Sequence, residues 1–455
     1  MLRKLLRKKP LQNIHHAGLH RSLRAIDLTL MGIGAIIGAG VFVLTGVAAA
    51  TKAGPAIVIS YMIAGIASMF AALAYAELAS SVGGTGSAYG YAYAGFGEFI
   101  AWLIGWNLLL EYIIAVSTVA IGWSGYVNNL LVSMHIALPS ALVNDPFEGG
   151  IINLLAILIV TAISVLLSIG IKHSARFNAV IVIIKLITIA VFIAAAISHV
   201  NFKNWESFSP FGWSGVMGGA ALVFFAYIGF DALSTAVEET INPKRDIPIG
   251  IISSLVICTL IYIVVSALLT LITPYYNLNV QSPVADALLQ LGNNGAAGVV
   301  AAGAIAGLTT VMLVMYYGLT RIVLAMSRDG LLPTSIATVN STTHTPIRII
   351  IILGIFIALI AGLSPIGRAA ELVNIGTLAA FTFVCAGVIV LRITHPDLPR
   401  PFKTPFSPFI PVAGILSCLY LMISLPAVTW WRFIIWTLLG LIIYFVYGYK
   451  HSLIK

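Results

Sequence analysis

Long apolar stretches separated by short polar ones dominate the chain. Each is about 20 residues long or longer, the length that an α-helix needs to cross the hydrocarbon core of a membrane. The stretches lack the alternation of a membrane barrel strand, which favours helices. The third and the eighth are long enough to tilt strongly or to project from the bilayer. Twelve segments can be placed, at residues 25–51, 56–80, 97–130, 149–171, 176–198, 213–238, 248–272, 296–327, 347–364, 371–392, 408–426 and 430–449.

Two of these segments, the first and the sixth, are interrupted by glycine at corresponding places. The first has four glycines within residues 31–42, and the sixth has Gly229 within residues 224–231. In lipid, backbone polar groups must be paired, so a broken helix is tolerated only where it is buried or lines a cavity. A pair of interrupted helices in two halves of a membrane protein indicates the binding site of a transporter.

The composition excludes a water-soluble fold. Of the 455 residues, 60% are hydrophobic and 9% are charged, and the mean hydropathy is +1.04. A soluble protein has about 25% charged residues, so this chain cannot cover itself with a water-facing surface. We therefore predict an all-α polytopic membrane protein with 12 transmembrane helices.

The positions of the basic residues predict the orientation. Seven of the 24 Lys and Arg residues precede the first span, and no apolar core with a cleavage site follows them directly as in a signal peptide. With a cytoplasmic N-terminus, the inner segments hold 19 basic residues and the outer segments hold 4. This bias agrees with the positive-inside rule and predicts that both termini are cytoplasmic. The net charge of +9 is thus explained without a nucleic-acid partner.

The spans divide into two blocks of five. Residues 25–198 hold the first five and residues 199–392 hold the next five, and a broken helix opens each block. An odd number of spans inverts the second block relative to the first, which is the layout of an inverted-repeat transporter. Residues 1–24 are then a basic cytoplasmic N-terminus, and residues 393–455 hold the last two helices and a short cytoplasmic C-terminus.

Four stretches of the sequence resemble the amino acid–polyamine–organocation (APC) superfamily, and most closely the bacterial members of its cationic amino acid transporter branch. They are residues 32–46, 83–91, 225–231 and 238–248. The resemblance covers residues 22–450. It implies the leucine-transporter type of five-plus-five inverted repeat with broken helices 1 and 6, and an amino acid carrier rather than an enzyme.

The resemblance implies that the substrate carboxylate binds at the first break. We expect Ile37, Gly38, Ala39 and Gly40 to form an unwound turn, and a half-helix to start near Val41. Its unpaired N–H groups and positive dipole end would face the break and suit an anion. Close packing of helices through small residues is the alternative.

At the second break, carbonyl groups are the candidates to bind the substrate ammonium. We expect the first half-helix to end close to Phe225, Ala226 and Ile228, and to leave carbonyls unpaired there. Phe225 or Tyr227 is a candidate gate, or else ordinary packing. Asp231 opens the second half-helix, where it is an N-cap or a substrate contact.

Lys185 lies in the middle of the fifth span, among isoleucine and leucine residues. An ionisable group at this depth is a functional hypothesis by default. In proton-coupled relatives of the fold that the resemblance implies, a lysine on the fifth helix replaces a sodium ion and touches the first broken helix, so Lys185 is the candidate for proton coupling. A permanent structural ammonium is the alternative. Thr309 and Thr310 could offer sodium ligands, but a nearby ammonium would repel sodium.

Two further residues bear on the side chain of the substrate. Glu111 lies within the third span without a basic neighbour at helical spacing. It could hold a cationic side chain, share a proton with Lys185 or face a water-filled vestibule. Met315, on the eighth span, lies where members of the resembled superfamily line the side-chain pocket, and its bulk would favour small substrates such as alanine. Core packing is the alternative for Met315.

Other classes of function find little support. All nine histidines fall in tails, loops or span edges, and the three cysteines lack metal or redox spacing, so no metal site or hydrolase dyad is expected. A channel or a membrane receptor does not require two broken helices, and no filter motif is present. Residues 83–91 lack the lysine and the strand of a nucleotide loop, and we expect an inner loop there.

The sequence therefore predicts a secondary active amino acid transporter in the inner membrane of a bacterium. We expect proton-coupled uptake of small neutral L-amino acids by alternating access, with an arginine or lysine transporter, or an exchanger, as the alternative. The expected partners are the amino acid substrate and membrane lipids. No cofactor is expected beyond the proton gradient.

Overall fold

The computed structural model describes residues 7–8, 23–82, 87–169, 175–341, 343 and 345–453. The described residues form no named β-strand, and one isolated bridge joins Leu23 to Thr240. The fold of this part of the chain is all-α. The longer helices are α1 (Ala25–Ile36), α2 (Ile57–Ser81), α3 (Ser87–Gly95), α4 (Glu98–Ser133), α5 (Leu154–Ile169), α6 (Ala175–Ala196), α7 (Gly212–Val223), α8 (Pro243–Ile272), α9 (Asn294–Arg328), α10 (Ile347–Leu363), α11 (Ile366–Thr394), α12 (Phe409–Ile423) and α13 (Ala427–Ile443).

Short helical pieces connect or extend these helices. The α-helical pieces are Thr45–Ala48, Ser140–Val143, Pro283–Gln290 and Tyr449–His451. The π-helical pieces are Gly40–Leu44, Ala49–Ala53 and Tyr444–Gly448. The 3₁₀ pieces are Gly54–Ala56, Ile197–His199, Phe202–Trp205, Phe224–Tyr227, Phe230–Glu239, Tyr275–Asn277 and Thr334–Ala337.

The helices fall on the apolar segments predicted from the sequence. Among the described residues, eight helical segments are long and apolar enough to cross a membrane, and four shorter apolar helices accompany them. Each predicted segment overlaps at least one of these helices, and the segment Gly40–Ser81 contains the end of the first predicted segment and all of the second. The helix containing the second break is the most enclosed, with 89% of its most apolar stretch buried, whereas the last helix has 17% buried. The broken helices therefore lie at the centre of the bundle.

The first break interrupts its helix for two residues. The last bond of α1 runs from the Ile37 N–H to the Ile33 carbonyl over 2.9 Å. Ile37 itself is extended, with φ −72° and ψ 104°, which stops the helix. The chain resumes with the π-helical turn Gly40–Leu44.

The second break is a tightened turn followed by an extended residue. After α7 the chain narrows to the 3₁₀ turn Phe224–Tyr227, and Ile228 is extended with φ −64° and ψ 140°. Gly229 has φ +116°, a conformation that a side chain disfavours. The helix then resumes as the 3₁₀ stretch Phe230–Glu239.

The two breaks touch each other through small residues. A Cβ atom on Gly40 would overlap the Cα of Ala226, and a Cβ on Gly229 would lie 2.8 Å from the Ala35 carbonyl oxygen. Glycine therefore allows the two backbones to approach more closely than side chains would permit.

The prediction of a loop at residues 83–91 is wrong for residues 87–91. Residues 83–86 lie outside the described part of the chain, but Ser87–Gly95 is helical. Tyr89 and Tyr93 of this helix are buried, and the Tyr89 hydroxyl donates to Asp329 Oδ2 over 2.7 Å. Tertiary packing of the tyrosines thus forms a helix where glycine and serine content indicated a loop.

Replacing Gly40 with alanine should weaken the fold, because the new Cβ would overlap a backbone atom of Ala226 that cannot swing aside. Overpacking of this kind costs about 1–3 kcal/mol. We expect a lower melting temperature for the purified protein in detergent. Gly298→Ala is the matched control, since a Cβ there meets nothing within 4 Å. Equal melting temperatures for the two variants would contradict the close contact.

Candidate functional site

A small cavity lies where the two breaks meet. Its volume is about 10 Å³, which is room for about one water molecule. No charged side chain belongs to its described lining. The lining residues are Ala35, Ile36, Gly38, Ala39 and Gly40 of the first break, Phe225 and Ile228 of the second, Val119 of α4, and Val311 and Met315 of α9.

The first break presents unpaired backbone donors to this cavity. Among the described residues, no hydrogen bond leaves the N–H groups of Gly38, Ala39 and Gly40, whereas the Gly38 carbonyl accepts from Phe42 N over 3.3 Å. The first N–H groups of a helix have no partner within it, and the helix dipole adds positive potential there. This turn can therefore bind an anionic group through its backbone.

Some carbonyl groups of the second break accept hydrogen bonds within the described part of the protein, and one does not. The Phe225 carbonyl accepts from Ile228 N over 3.2 Å. The Ala226 carbonyl accepts from the Tyr262 hydroxyl over 2.8 Å. No hydrogen bond to the Ile228 carbonyl occurs among the described residues, and Ile228 lines the cavity. Ile228 is therefore the acceptor that remains open to a ligand's donor.

Lys185 of the neighbouring helix α6 forms hydrogen bonds with carbonyl groups at the C-terminal end of α1. Its Nζ donates to the carbonyl oxygens of Gly34 over 2.7 Å and Ile37 over 2.9 Å. The side chain is fully buried, and no carboxylate pairs with it among the described residues. Its stem passes Gly307 of α9, where a Cβ would lie 2.8 Å from Lys185 Cε. A cation at a helix C-terminus is favourable, because the last carbonyls are unpaired and the dipole is negative there.

Three polar side chains at the breaks were missed by the sequence analysis. The Tyr262 hydroxyl lies 2.9 Å from the Ile36 carbonyl oxygen and 2.8 Å from that of Ala226, and so bridges the two breaks. The Tyr61 hydroxyl donates to the Gly40 carbonyl over 3.0 Å. Asn374 Nδ2 donates to the carbonyls at the end of α7. A polar residue inside an apolar span was their only sequence signal.

The structure brings together six of the predicted substrate-binding residues and leaves the others outside the cavity. Gly38, Ala39, Gly40, Phe225, Ile228 and Met315 line it. Ile37 and Ala226 adjoin it, but their carbonyls are used by Lys185 and Tyr262. Val41 is buried in the restarted helix. Tyr227, the second candidate gate, is fully buried and donates to the Tyr61 carbonyl over 2.8 Å.

Glu111 lies away from this lining, beside a second buried carboxyl group. It interacts electrostatically with Asp231. Asp231 accepts from the Tyr112 hydroxyl over 3.1 Å and from the Gly229 N–H over 3.2 Å. The Thr377 side chain also interacts with the Glu111 carboxyl group. The structure therefore places Glu111 beside Asp231 and outside the lining of the cavity.

Groups that could hold a metal ion are scarce. Among the described residues, no cluster of three or more His, Cys, Asp or Glu side chains could do so. The Thr309 hydroxyl donates to the Ile305 carbonyl and accepts from Trp123 Nε1 over 2.9 Å. The Thr310 hydroxyl donates to the Gly307 carbonyl over 2.8 Å. Both threonines are thus engaged within the protein.

Sequence comparison finds named transporters along the whole chain. The chain is similar to the methylthioribose transporter of Bacillus subtilis (strain 168), with 49% identity over 457 residues that cover 99% of each chain. It is 50% identical to the branched-chain amino acid permease BcaP of the same organism over 458 residues, or 98% of each chain. It is 39% identical to cationic amino acid transporter 4 of Homo sapiens over 412 residues, which cover 88% of this chain and 65% of the relative.

Residues 23–446 match the amino acid permease family. This match covers almost all of the helical bundle, including both breaks and the cavity between them. It confirms the predicted resemblance, and the names of the relatives agree that the group consists of transporters. The chain therefore belongs to the amino acid permease family of the APC superfamily and is a multi-pass membrane transporter, not an enzyme.

Proposed function

We propose that this transporter is a secondary active carrier that couples uptake of neutral aliphatic L-amino acids to inward proton flow. The observation that carries the proposal is the meeting of the two breaks at one apolar cavity. Unpaired amides lie on one side of it and an unpaired carbonyl lies on the other. These are the partners that the carboxylate and the ammonium of any amino acid need.

The proposed topology has twelve crossings, with both termini in the cytoplasm of a bacterial cell. Residues 25–198 and 199–392 form the two inverted repeats, and the last two helices follow in residues 393–455. The correspondence of the observed helices with the twelve apolar segments supports this topology, as does the excess of basic residues in the inner segments.

The apolar lining of the cavity favours substrates with an apolar side chain. Val119, Val311, Met315 and Phe225 contribute to its walls, and its described lining holds no carboxylate to pair with arginine or lysine. A cationic side chain would be buried without a partner, which is costly. An aliphatic side chain loses only its contact with water. The similarity to a branched-chain amino acid permease supports the same choice.

Methylthioribose is the second candidate substrate. A relative named for its transport is 49% identical over the whole chain. The apolar cavity, with the Met315 side chain in its wall, suits a methylthio group as well as an aliphatic one. Methylthioribose has no carboxylate for the free amides, however, so we favour the amino acid.

The small size of the cavity supports a mechanism of alternating access. A space of about 10 Å³ cannot hold an amino acid, so the walls must move to admit one. Phe225 is the largest side chain of the lining and Met315 is the longest flexible one, and these are the groups that we propose to move. Phe225 then serves as the gate, and Tyr227 serves as packing.

We assign proton coupling to Lys185. Its ammonium joins α6 to the end of α1, so loss of a proton removes one donor and the positive charge from that junction. The contact between Lys185 and the end of α1 is then stronger in the protonated state than in the neutral state. Protonation can therefore shift the equilibrium between conformations that keep this contact and conformations that open it. The rival interpretation is an ammonium that stays bound to these carbonyls throughout the cycle.

Transport into proteoliposomes tests the proposed function. Alanine, valine, leucine, arginine, lysine and methylthioribose would be supplied as labelled substrates, with an inward proton gradient, an inward sodium gradient or neither. We expect saturable accumulation and counterflow of the neutral amino acids, driven by the proton gradient alone. Preference for arginine or for methylthioribose would overturn the substrate class. Accumulation without a proton gradient would overturn the coupling.

Lys185→Ala should abolish accumulation driven by a proton gradient. Counterflow at equal pH needs no proton gradient and should persist in a variant that carries the substrate without a proton. Lys203→Ala, at an exposed position between α6 and α7, is the control. Full coupling in Lys185→Ala would refute the assignment. Loss of counterflow as well would identify Lys185 as a structural ammonium.

Met315→Ala should enlarge the side-chain pocket and admit bulkier amino acids. We expect the ratio of kcat/KM for phenylalanine to that for alanine to rise about tenfold, a typical effect of a small change in pocket size. Met312→Ala is the matched control, since Met312 is fully buried on the same helix but does not line the cavity. Equal size selectivity in the two variants would place Met315 outside the pocket.

A further inference from the structure

A second, larger cleft lies at the surface of the bundle, and none of its lining residues belongs to the two breaks. Its volume is about 400 Å³, and it opens beside the first turns of α8. One wall is formed by Ile249 and Ile252 of α8, and the other by Pro401 and Phe402, which precede α12. Lys244 and Arg245 form its basic end. The cleft is thus apolar along its length and cationic at one end.

Lys244 and Arg245 form no ion pair with the acidic side chains that the structure describes. Both are exposed, and the ion pairs of the described residues involve Lys52, Arg392 and Arg400 instead. Asp246 in the same turn is buried and does not line the cleft. Lys244 and Arg245 also occupy the first turn of a 30-residue helix, where the helix dipole already favours an anion. Among the described residues, no ion pair therefore engages the two cations at this end.

The opposite wall is held firmly in place. Glu77 of α2 forms an ion pair of 2.7 Å with Arg392 and lies 3.6 Å from Arg400. The same carboxylate accepts from Thr404 N over 2.7 Å. Arg400 also donates to several backbone carbonyls. Pro401 and Phe402 lie between two of these anchored residues, so the cleft is built into the fold.

An exposed apolar stripe continues from the cleft along α8. Ile249, Val256, Leu260 and Val264 are exposed at intervals of seven, four and four residues, which places them on one helix face. At 1.5 Å per residue, the stripe from Ile249 to Val264 is roughly 22 Å long. It therefore spans the depth of one leaflet, which is half of the roughly 30 Å hydrocarbon core.

We propose that this cleft binds one anionic phospholipid of the cytoplasmic leaflet. The phosphate and its negative headgroup lie against Lys244 and Arg245, and an acyl chain follows Ile249 and Ile252 onto the stripe of α8. Two exposed cations that form no ion pair among the described residues favour a lipid with a net negative charge over a zwitterionic lipid, whose own cation they repel. The lipid joins α8, which packs along α1, to the anchored segment before α12.

Native mass spectrometry of the full-length protein in detergent tests the site. The probes are phosphatidylglycerol and phosphatidylcholine with identical acyl chains. We expect one high-affinity phosphatidylglycerol per protein and no comparable phosphatidylcholine. Lys244→Gln combined with Arg245→Gln should weaken phosphatidylglycerol binding about thirtyfold, given the usual contribution of two basic residues near anionic lipid. Equal binding of the two lipids to the unchanged protein would overturn the proposal.

Two further variants separate the cleft from general surface charge. Arg328→Gln combined with Lys450→Gln removes the same charge from exposed positions outside the cleft and should leave binding unchanged. Ile252→Trp keeps both cations but fills the cleft, and it should weaken binding with an unchanged melting temperature. An equal loss of binding in the charge control would refute the site. Normal binding in Ile252→Trp would move the lipid out of the cleft and would also refute it.

Discussion

The pairing of backbone groups inside the membrane is the constraint on which this structure depends. A helix that breaks in an apolar medium exposes carbonyl and amide groups that water cannot reach. Here the carbonyls are paired by side chains from other helices: Tyr61 of α2, Lys185 of α6, Tyr262 of α8 and Asn374 of α11. Four helices are thus tied to the two breaks by hydrogen bonds, and the rest of the bundle packs around them.

The same constraint explains which backbone groups remain open. Side chains of other helices occupy the carbonyls of Gly34, Ile36, Ile37 and Ala226. Among the described residues, no partner is present for the amides of Gly38, Ala39 and Gly40 or for the carbonyls of Ala35 and Ile228, and all five of these residues line the cavity. A ligand with an anionic end and a cationic end would supply the missing hydrogen-bond partners. These backbone groups then need no partner from a neighbouring helix. Under the proposed function, the common part of all amino acids is recognised by backbone, and discrimination is left to the apolar walls.

Much of this arrangement could be predicted because its signals are local. The helical segments follow from continuous apolar runs, and the breaks follow from glycine inside such runs. The loop expected at residues 83–91 was wrong from Ser87 onward, because buried tyrosines stabilise a helix that local composition disfavours. Tyr262 and Asn374 were missed, since a single polar residue in an apolar span does not reveal its partner. Glu111 was recognised as unusual, but its neighbour Asp231 lies 120 positions away in the chain.

The sequence by itself determined that the chain crosses a membrane as helices, that two of these helices break, and that one lysine is buried among apolar residues. These properties depend on composition and on spacing within single segments, so no knowledge of packing is needed. The tertiary structure alone decided that the breaks touch, which of their backbone groups are paired, and which side chains form the cavity. It also decided that the basic start of α8 lies opposite the segment before α12. Such pairings join residues far apart in the chain, and only the packed bundle brings them within the few ångströms at which hydrogen bonds and contacts act.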